Sequence, residues 1–263
     1  MAIMKKVIAF DIDDTLNVAK TPMPKEMAEV FAKLLDYYPV CVISGQKVGQ
    51  FMIQIVNPMG EMATPERLKN LHLMTAQGTQ YYVYKGGENS QPDDLANWNQ
   101  VYTYPMTDEQ ITKITEAIEQ AAKELGYWCE NPAGEIVENR DSQVTFSALG
   151  QAAKPEDKYP WDPDHHKRNE IVARARKLAP EFDYEVAGTT SINVFLPGMN
   201  KTFGMTKLME QLDISREDIL YFGDMTQPGG NDYPVVEMGI ETVAVRTWED
   251  TLYALRAIVG LNK

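Results

Sequence analysis

Short apolar runs, each stopped abruptly by polar residues, punctuate the chain. Val7-Ile8-Ala9-Phe10 ends at Asp11, Val40-Cys41-Val42-Ile43 ends at Ser44-Gly45, and Ile219 to Phe222 ends at Gly223-Asp224. Runs of this length, continuous rather than alternating, mark strands buried on both faces of a parallel sheet. The pattern predicts strands over 5–11, 40–43, 72–76, 219–222 and 242–245. Between them the apolar period becomes helical. From Lys25 to Tyr37, the residues Met27, Val30, Phe31, Leu34 and Leu35 share one face, and further helices are expected over 47–56, 203–212 and 248–259. Strand and helix in alternation imply an α/β fold, a Rossmann-like parallel-sheet core with helices on its faces.

The rhythm breaks in the middle. The alternating segment Gln80-Tyr81-Tyr82-Val83-Tyr84 reads as half of a hairpin closed by Gly86-Gly87, and residues 86–104 are polar and loop-like. Thr107-Asp108-Glu109-Gln110 fits a capping box, with Gln at the third helical position, and opens a helix that ends at Gly126. Segments 135–149 and 183–196 read as strands, separated by a proline-rich stretch (154–163) and a helix over 164–178. These elements place an inserted α+β domain over 86–187, with the core formed by 1–85 and 188–263.

Composition narrows the function. The 263 residues are 44% hydrophobic and 24% charged, which suits a globular protein with a sizeable core. The formal net charge of −13 argues against nucleic acid or an anionic membrane surface as partner, since both need a basic face. A small anionic substrate remains compatible if a metal and a few local cations neutralise it. Cys41 and Cys129 lie far apart and belong to no Cys/His cluster, and no apolar stretch reaches the length of a membrane span. The residues before the first strand are too few for a secretion signal, so a reducing, cytoplasmic setting is expected; a homo-oligomer is left open.

The ends of the predicted strands carry the chemistry. In a parallel sheet, ligands bind at the carboxyl ends of the strands. There the first strand presents Asp11, Asp13 and Thr15, the second Ser44 and Gly45, and a later one Asp224, with Asp232 in the glycine-rich loop that follows. Lys201 opens a helix in the returning core segment. Singly, each has a plain explanation: an Asx turn, a strand-to-helix turn, a solvated helix start. Together they suit phosphoryl transfer through an aspartyl-phosphate, with Asp11 as nucleophile and Asp13 as acid and base toward the leaving and entering oxygens. Asp11, Asp13 (through its carbonyl), Asp224 and Asp232 form an oxygen-rich set for Mg²⁺, while Thr15, Ser44, Gly45 and Lys201 would bind the transferring phosphate. In the insert, His165-His166 reads as a solvated turn, and Tyr159 and Trp161 as packing residues.

Asp11-Ile12-Asp13-Asp14-Thr15, Ser44, Lys201 and Gly223-Asp224…Gly229-Gly230-Asn231-Asp232 resemble the four ordered motifs of the haloacid dehalogenase-like superfamily. The insert between the second and third motifs looks like that superfamily's type IIB (C2B) cap. The phrases around 186–201 and 222–232 look most like eukaryotic-type phosphomannomutases. The resemblance implies a Mg²⁺-dependent phosphotransferase whose cap covers the crevice and chooses the substrate. It also implies cap arginines that grip a sugar's second phosphate. Arg140 matches one of them, but a later one falls at Gln151, and the arginine after the first motif is absent, Lys20 being the nearest cation. An amide cannot replace a guanidinium's charge and fork. On these residues the expectation is a phosphatase of a small phosphorylated metabolite, a sugar phosphate, with a phosphomannomutase-like hexose phosphomutase as the alternative.

Overall fold

The computed structural model describes residues 5–262. The chain forms two compact units, one of residues 1–103 and 200–263, the other of 104–199. The first unit begins with β1 (Val7–Phe10), α1 (Lys25–Leu34), β2 (Val40–Ile43) and α2 (Val48–Phe51). A π-helical stretch (Met52–Val56) links α2 to α3 (Asn57–Met59); α4 (Pro65–Leu68), β3 (Leu71–Thr75), β4 (Gln80–Tyr84) and β5 (Trp98–Thr103) follow. The second unit holds α5 (Asp108–Glu124), β6 (Val137–Asn139), β7 (Gln143–Ser147), α6 (Pro155–Lys158), α7 (His166–Leu178), β8 (Asp183–Ala187) and β9 (Ser191–Phe195). The chain returns to the first with α8 (Lys201–Leu212), β10 (Ile219–Gly223), α9 (Tyr233–Glu237), β11 (Glu241–Ala244) and α10 (Trp248–Leu261).

The first unit is built on a seven-stranded sheet in the order β11-β10-β1-β2-β3-β4-β5. The strands from β11 to β3 run parallel, whereas β4 and β5 are antiparallel additions at one edge. Side chains alternate across the sheet. Ile8, Phe10, Val40, Val42, Leu71 and Leu73 pack with Met27, Phe31, Leu34 and Leu255 from α1 and α10. Val7, Ala9, Cys41, Ile43 and Tyr221 point the other way, onto Met205 and Leu208 of α8. Burial on both faces accounts for the unbroken apolar runs.

The second unit is a four-stranded antiparallel sheet, β6-β7-β9-β8, with helices on one face. Ile114, Ile118 and Ala121 of α5 and Ile171 and Ala175 of α7 pack on Val144, Phe146, Ile192 and Val194. The expected capping box is present: the Thr107 hydroxyl accepts from Gln110 N at 3.2 Å, and Gln110 Oε1 accepts from Thr107 N at 2.9 Å. Buried Arg168 donates to Asp162 Oδ2 at 2.7 Å and to the carbonyls of Ala187 and Gly188, tying the 155–166 region to the β8–β9 turn.

The observed division differs from the boundaries at 86 and 187. Residues 98–103, expected as loop, are β5, which pairs with β4 and so belongs to the first unit. An exposed edge strand has little apolar burial to advertise, and β5 is largely polar and open. At the other end, 183–196 is a hairpin rather than one strand; β9 pairs with both β7 and β8, which keeps the second unit together to Met199. Segment 135–149 is likewise two strands, turning at Asp141 with φ of 64°. His165 (φ 63°) precedes α7 rather than lying within it. Trp161 packs with the apolar cluster of its unit, whereas Tyr159 is half exposed.

Helix α8 is seated by a close glycine contact. A Cβ on Gly204 would lie 2.5 Å from Ile43 Cδ1 and 2.9 Å from the Gln77 carbonyl oxygen. Gly78 adopts a φ of +85°, and a Cβ there would lie 2.3 Å from the Gly204 Cα. The turn after β3 and the first turns of α8 therefore meet backbone to backbone, which fixes where Lys201 enters the unit. Gly204→Ala should destabilise the protein by about 1–3 kcal/mol through overpacking, read as a lower denaturant midpoint at unchanged m-value.

A second buried polar contact bears on acid stability. His72 Nδ1 and the Tyr81 hydroxyl share a hydrogen bond of 2.6 Å. Burial pushes His72 down to about 4, and it pushes the Tyr81 phenol and the Cys41 thiol up, so all three are held neutral near pH 7. The unfolded chain binds this proton near pH 6.5 and the folded chain does not until about pH 4. The contribution is therefore complete above pH 6.5 and is lost as pH falls toward 4, with a slope of up to about 1.4 kcal/mol per pH unit. His72→Gln should flatten this part of the stability–pH curve relative to wild type, as measured by urea unfolding at successive pH values.

Candidate active site

The site lies at the carboxyl ends of β1, β2 and β10 and at the start of α8. Asp11 extends the β1 ladder by one bond, its N–H donating to the Phe222 carbonyl at 3.0 Å. The chain then turns sharply, with Thr15 N and Leu16 N both donating to Ile12 O. The turn buries Asp11 and Thr15 close to the sheet end. Ser44 leaves β2 with its N–H bonded to Met74 O at 3.1 Å and is also buried. Asn200 caps α8 by accepting from Thr202 N at 2.9 Å, which places Lys201 at the first helical position.

Lys201 is fully buried, and its ammonium joins the carboxylates. Nζ donates to Asp11 Oδ1 at 2.5 Å and to Asp232 Oδ1 at 2.6 Å. Burial works against the ammonium, but Asp11 and Asp232 outweigh it and hold Lys201 firmly charged. Tyr221 donates its hydroxyl to Asp232 Oδ1 at 2.5 Å, and Met225 N donates to Asp232 Oδ2 at 3.0 Å. The Asp232 carboxylate packs so closely on Gly223 that a Cβ there would sit 2.6 Å from its Cγ. Asp232 is thus gripped at both oxygens, whereas Asp11 has a bonded Oδ1 and, among the described residues, an Oδ2 with no hydrogen-bond donor.

Carboxylate oxygens of Asp11, Asp224 and Asp232 lie within 4.8 Å of one another. Burial, opposed by Lys201, and the charges of Asp232 and Asp224 raise Asp11 well above the usual carboxylate range. Burial and Asp232 push Asp224 up to about 7. One ammonium does not balance three clustered acids, and an all-oxygen set of this kind suits a hard divalent cation. Thr15 Oγ1 is buried with no partner among the described residues, a hydroxyl that fits a bound anion's oxygen.

Asp13 has a different setting from Asp11. Lys20 N donates to its Oδ1 at 2.8 Å and Gln46 Nε2 to its Oδ2 at 3.0 Å. Burial raises its affinity for a proton, and these neutral donors and the Lys20 charge only partly offset that. The two acids of one loop are therefore unequal: Asp11 is matched to a cation, Asp13 to neutral donors.

The structure thus gathers Asp11, Lys201, Asp224 and Asp232 into one cluster and places Asp13, Thr15, Ser44 and Gly45 on the turns leaving β1 and β2. Both residues named in the insert lie in the second unit. Arg140 is buried and pairs with Glu138 through Nε at 2.8 Å and Nη2 at 2.7 Å. Gln151 donates its N–H to Glu135 O and accepts Lys158 Nζ on its carbonyl at 3.1 Å. Lys158, Tyr221, Gln46 and Gln54 escaped the sequence reading. Tyr221 sits inside an apolar strand and gives no polar signal. Gln54, a polar residue beside Phe51 and Ile55 on a buried helical face, was a readable one.

Comparisons with known proteins bear on family and fold. The model of the eukaryotic phosphomannomutase family matches residues 87–261. A probable phosphomannomutase of Caenorhabditis elegans is 24% identical over 241 residues, covering 88% of this chain and 86% of that protein. The Saccharomyces cerevisiae phosphomannomutase is 22% identical over 261 residues, covering 97% and 94%. In fold, the structure is similar to N-terminally truncated, IMP-bound IMP-nucleotidase of Plasmodium falciparum, with a TM-score of 0.65 at 15% identity over 98% of this chain and 68% of that one. With motifs, fold and family model in agreement, this chain belongs to the eukaryotic phosphomannomutase family, within the haloacid dehalogenase-like superfamily.

Proposed function

We propose that the protein is a Mg²⁺-dependent hexose phosphomutase that works through an aspartyl-phosphate on Asp11. The buried Asp11–Lys201–Asp232 cluster carries the reading of the chemistry: it fixes one oxygen of Asp11 and leaves the other for attack. In the first step Asp11 Oδ2 bonds to phosphorus, the phosphorus–sugar oxygen bond breaks, and Asp13 gives its proton to the leaving oxygen. In the second, Asp13 takes the proton of an entering sugar hydroxyl, whose oxygen bonds to phosphorus as the aspartyl bond breaks. Lys201 offsets charge on Asp11 and the transferring oxygens. Mg²⁺ held by Asp11 and Asp224, with the Asp13 carbonyl as a further ligand, would neutralise nucleophile and phosphate together. Asp232, already held by three protein donors, is better suited to anchoring Lys201 than to binding the ion directly.

The relatives named phosphomannomutase favour a sugar as acceptor, the reverse of the expectation from Gln151 and the missing arginine after the first motif. The family model also runs through the whole second unit, the proposed cap. That unit carries Lys158 beside Gln151 as well as Arg140, so a second phosphate has two candidate cations. Hydrolysis stands as a second reading because of Gln151 itself: an uncharged amide at a phosphate grip weakens the hold on a bisphosphate and lets water compete.

Incubation with mannose or glucose 1-phosphate, Mg²⁺ and a trace of the hexose bisphosphate should yield the 6-phosphate, followed by phosphorus NMR. Free phosphate without isomerised sugar would replace the mutase with the hydrolase. Asp11→Asn should lower either activity by about 10³-fold or more, with the fold intact by circular dichroism; full turnover in that variant removes Asp11 as nucleophile. Chelation with EDTA should abolish turnover and added Mg²⁺ restore it, and activity that survives exhaustive chelation would rule out the metal.

A further inference from the structure

We propose that Gln46 is a positioning residue that sets the orientation of Asp13, and that Gln54 holds Gln46 in the working orientation. The inference rests on the reading of Asp13 as the acid and base of the reaction. A carboxyl group rotates freely about its last torsion unless both oxygens are held. In Asp13 both are: Oδ1 accepts from Lys20 N at 2.8 Å and Oδ2 from Gln46 Nε2 at 3.0 Å. The first donor is backbone and any residue supplies it. The second is a side chain, and its identity matters.

A glutamine amide has a donating and an accepting end, and the wrong end would set oxygen against oxygen. Gln54 decides which end faces Asp13. Its Nε2 donates to Gln46 Oε1 at 2.7 Å, so the Gln46 oxygen is engaged and its NH₂ turns toward Asp13. Gln54 is held in turn. Its Nε2 also donates to Gln50 Oε1 at 3.2 Å, its Oε1 accepts from Asn17 Nδ2 at 3.1 Å, and its backbone carbonyl accepts from Met23 N at 2.9 Å. Asn17 and Gln54 are fully buried and Gln46 nearly so, which makes the chain of amides stiff and gives each bond more weight than in water.

Local helix geometry supports the same role. Gln54 lies in the π-helical stretch Met52–Val56, between α2 and α3. A π-turn widens a helical ladder by one residue, is rare, and is frequent at functional sites. Here the polar residue of that stretch faces inward, onto Gln46. The clamp therefore links the loop after β1, the turn after β2 and the π-turn to a single carboxyl group.

A positioned acid matters in proportion to how badly the leaving oxygen needs a proton. A sugar alkoxide leaves poorly without one, whereas a nitrophenolate leaves readily. The test compares wild type, Gln46→Leu, Gln54→Leu and Asp13→Asn on hexose 6-phosphate and on 4-nitrophenyl phosphate with Mg²⁺ in single turnover, enzyme in excess, so that transfer to Asp11 is read apart from the later step in which Asp13 acts as base. For Gln46→Leu, the limiting rate on the sugar phosphate should fall by about 10–100-fold at a similar half-saturating concentration, with a much smaller fall on the aryl ester. Gln54→Leu should show the same selectivity with a smaller loss. Retained nitrophenolate release shows that each variant is folded. Equal losses on both esters, or none on either, would overturn the role of Gln46. If Asp13→Asn itself shows no preference for the aryl ester, Asp13 is not the acid, and the inference falls with that reading.

Discussion

A single ammonium group organises the site. Lys201 lies between Asp11 and Asp232, fully buried, and balances two carboxylates that would otherwise repel each other out of contact. Ions removed from water are stabilised only when geometry and further hydrogen bonds compensate the lost hydration, and removing one partner leaves charge stranded. The surrounding structure meets that demand. Asn200 caps the helix that presents the lysine, the Gly78–Gly204 contact seats that helix, and Gly223 makes room for the Asp232 carboxylate. Tyr221 and Met225 complete the hydrogen bonding of Asp232. Helix start, turn and strand end all serve the placement of one charge.

The same environment separates the two acids that open the site. Asp11 and Asp13 are two residues apart on one turn, with identical side chains, yet one is bonded to a cation and the other to an amide and a backbone N–H. The ammonium beside Asp11 opposes the burial that raises this acid and fixes one of its oxygens. Asp13 is raised by burial as well, and its two oxygens are held by an amide and a backbone N–H. Division of labour between like residues follows from placement, and the proposed chemistry uses both halves of it.

On the proposed function, the choice of acceptor would fall to residues of the second unit. The second unit presents a helical face that is its core and a polar sheet face, where Gln143, Thr145 and Asn193 bond to one another. Arg140 is tied to Glu138, and Lys158 is tied to the backbone of Gln151. These cations are set in place by their neighbours. On that reading, the uncharged Gln151 would bear on which acceptor prevails, while the chemistry proposed for the first unit is the same for either.

Much of this was legible in the chain. Continuous apolar runs marked β1, β2 and β10 because strands buried on both faces admit no polar alternation, and the acids that follow the first and last of those runs, Asp11 and Asp224, lie in one cluster. The capping box at Thr107 was legible because its contacts are three residues apart. The edge strand β5 was not, since a strand open to solvent has no apolar pattern to show; nor was the hairpin of β8 and β9, whose two strands blur into one run. Gln46 and Gln54 stand eight residues apart, and nothing in that spacing says that their amides interlock or that both bear on Asp13. By itself, then, the sequence determined the alternating core and the residue types at its strand ends, because burial and local hydrogen bonding leave periodic traces. Only the tertiary structure decided which acid meets the ammonium, which meets the amide and where one unit gives way to the other, because those are contacts between residues far apart along the chain.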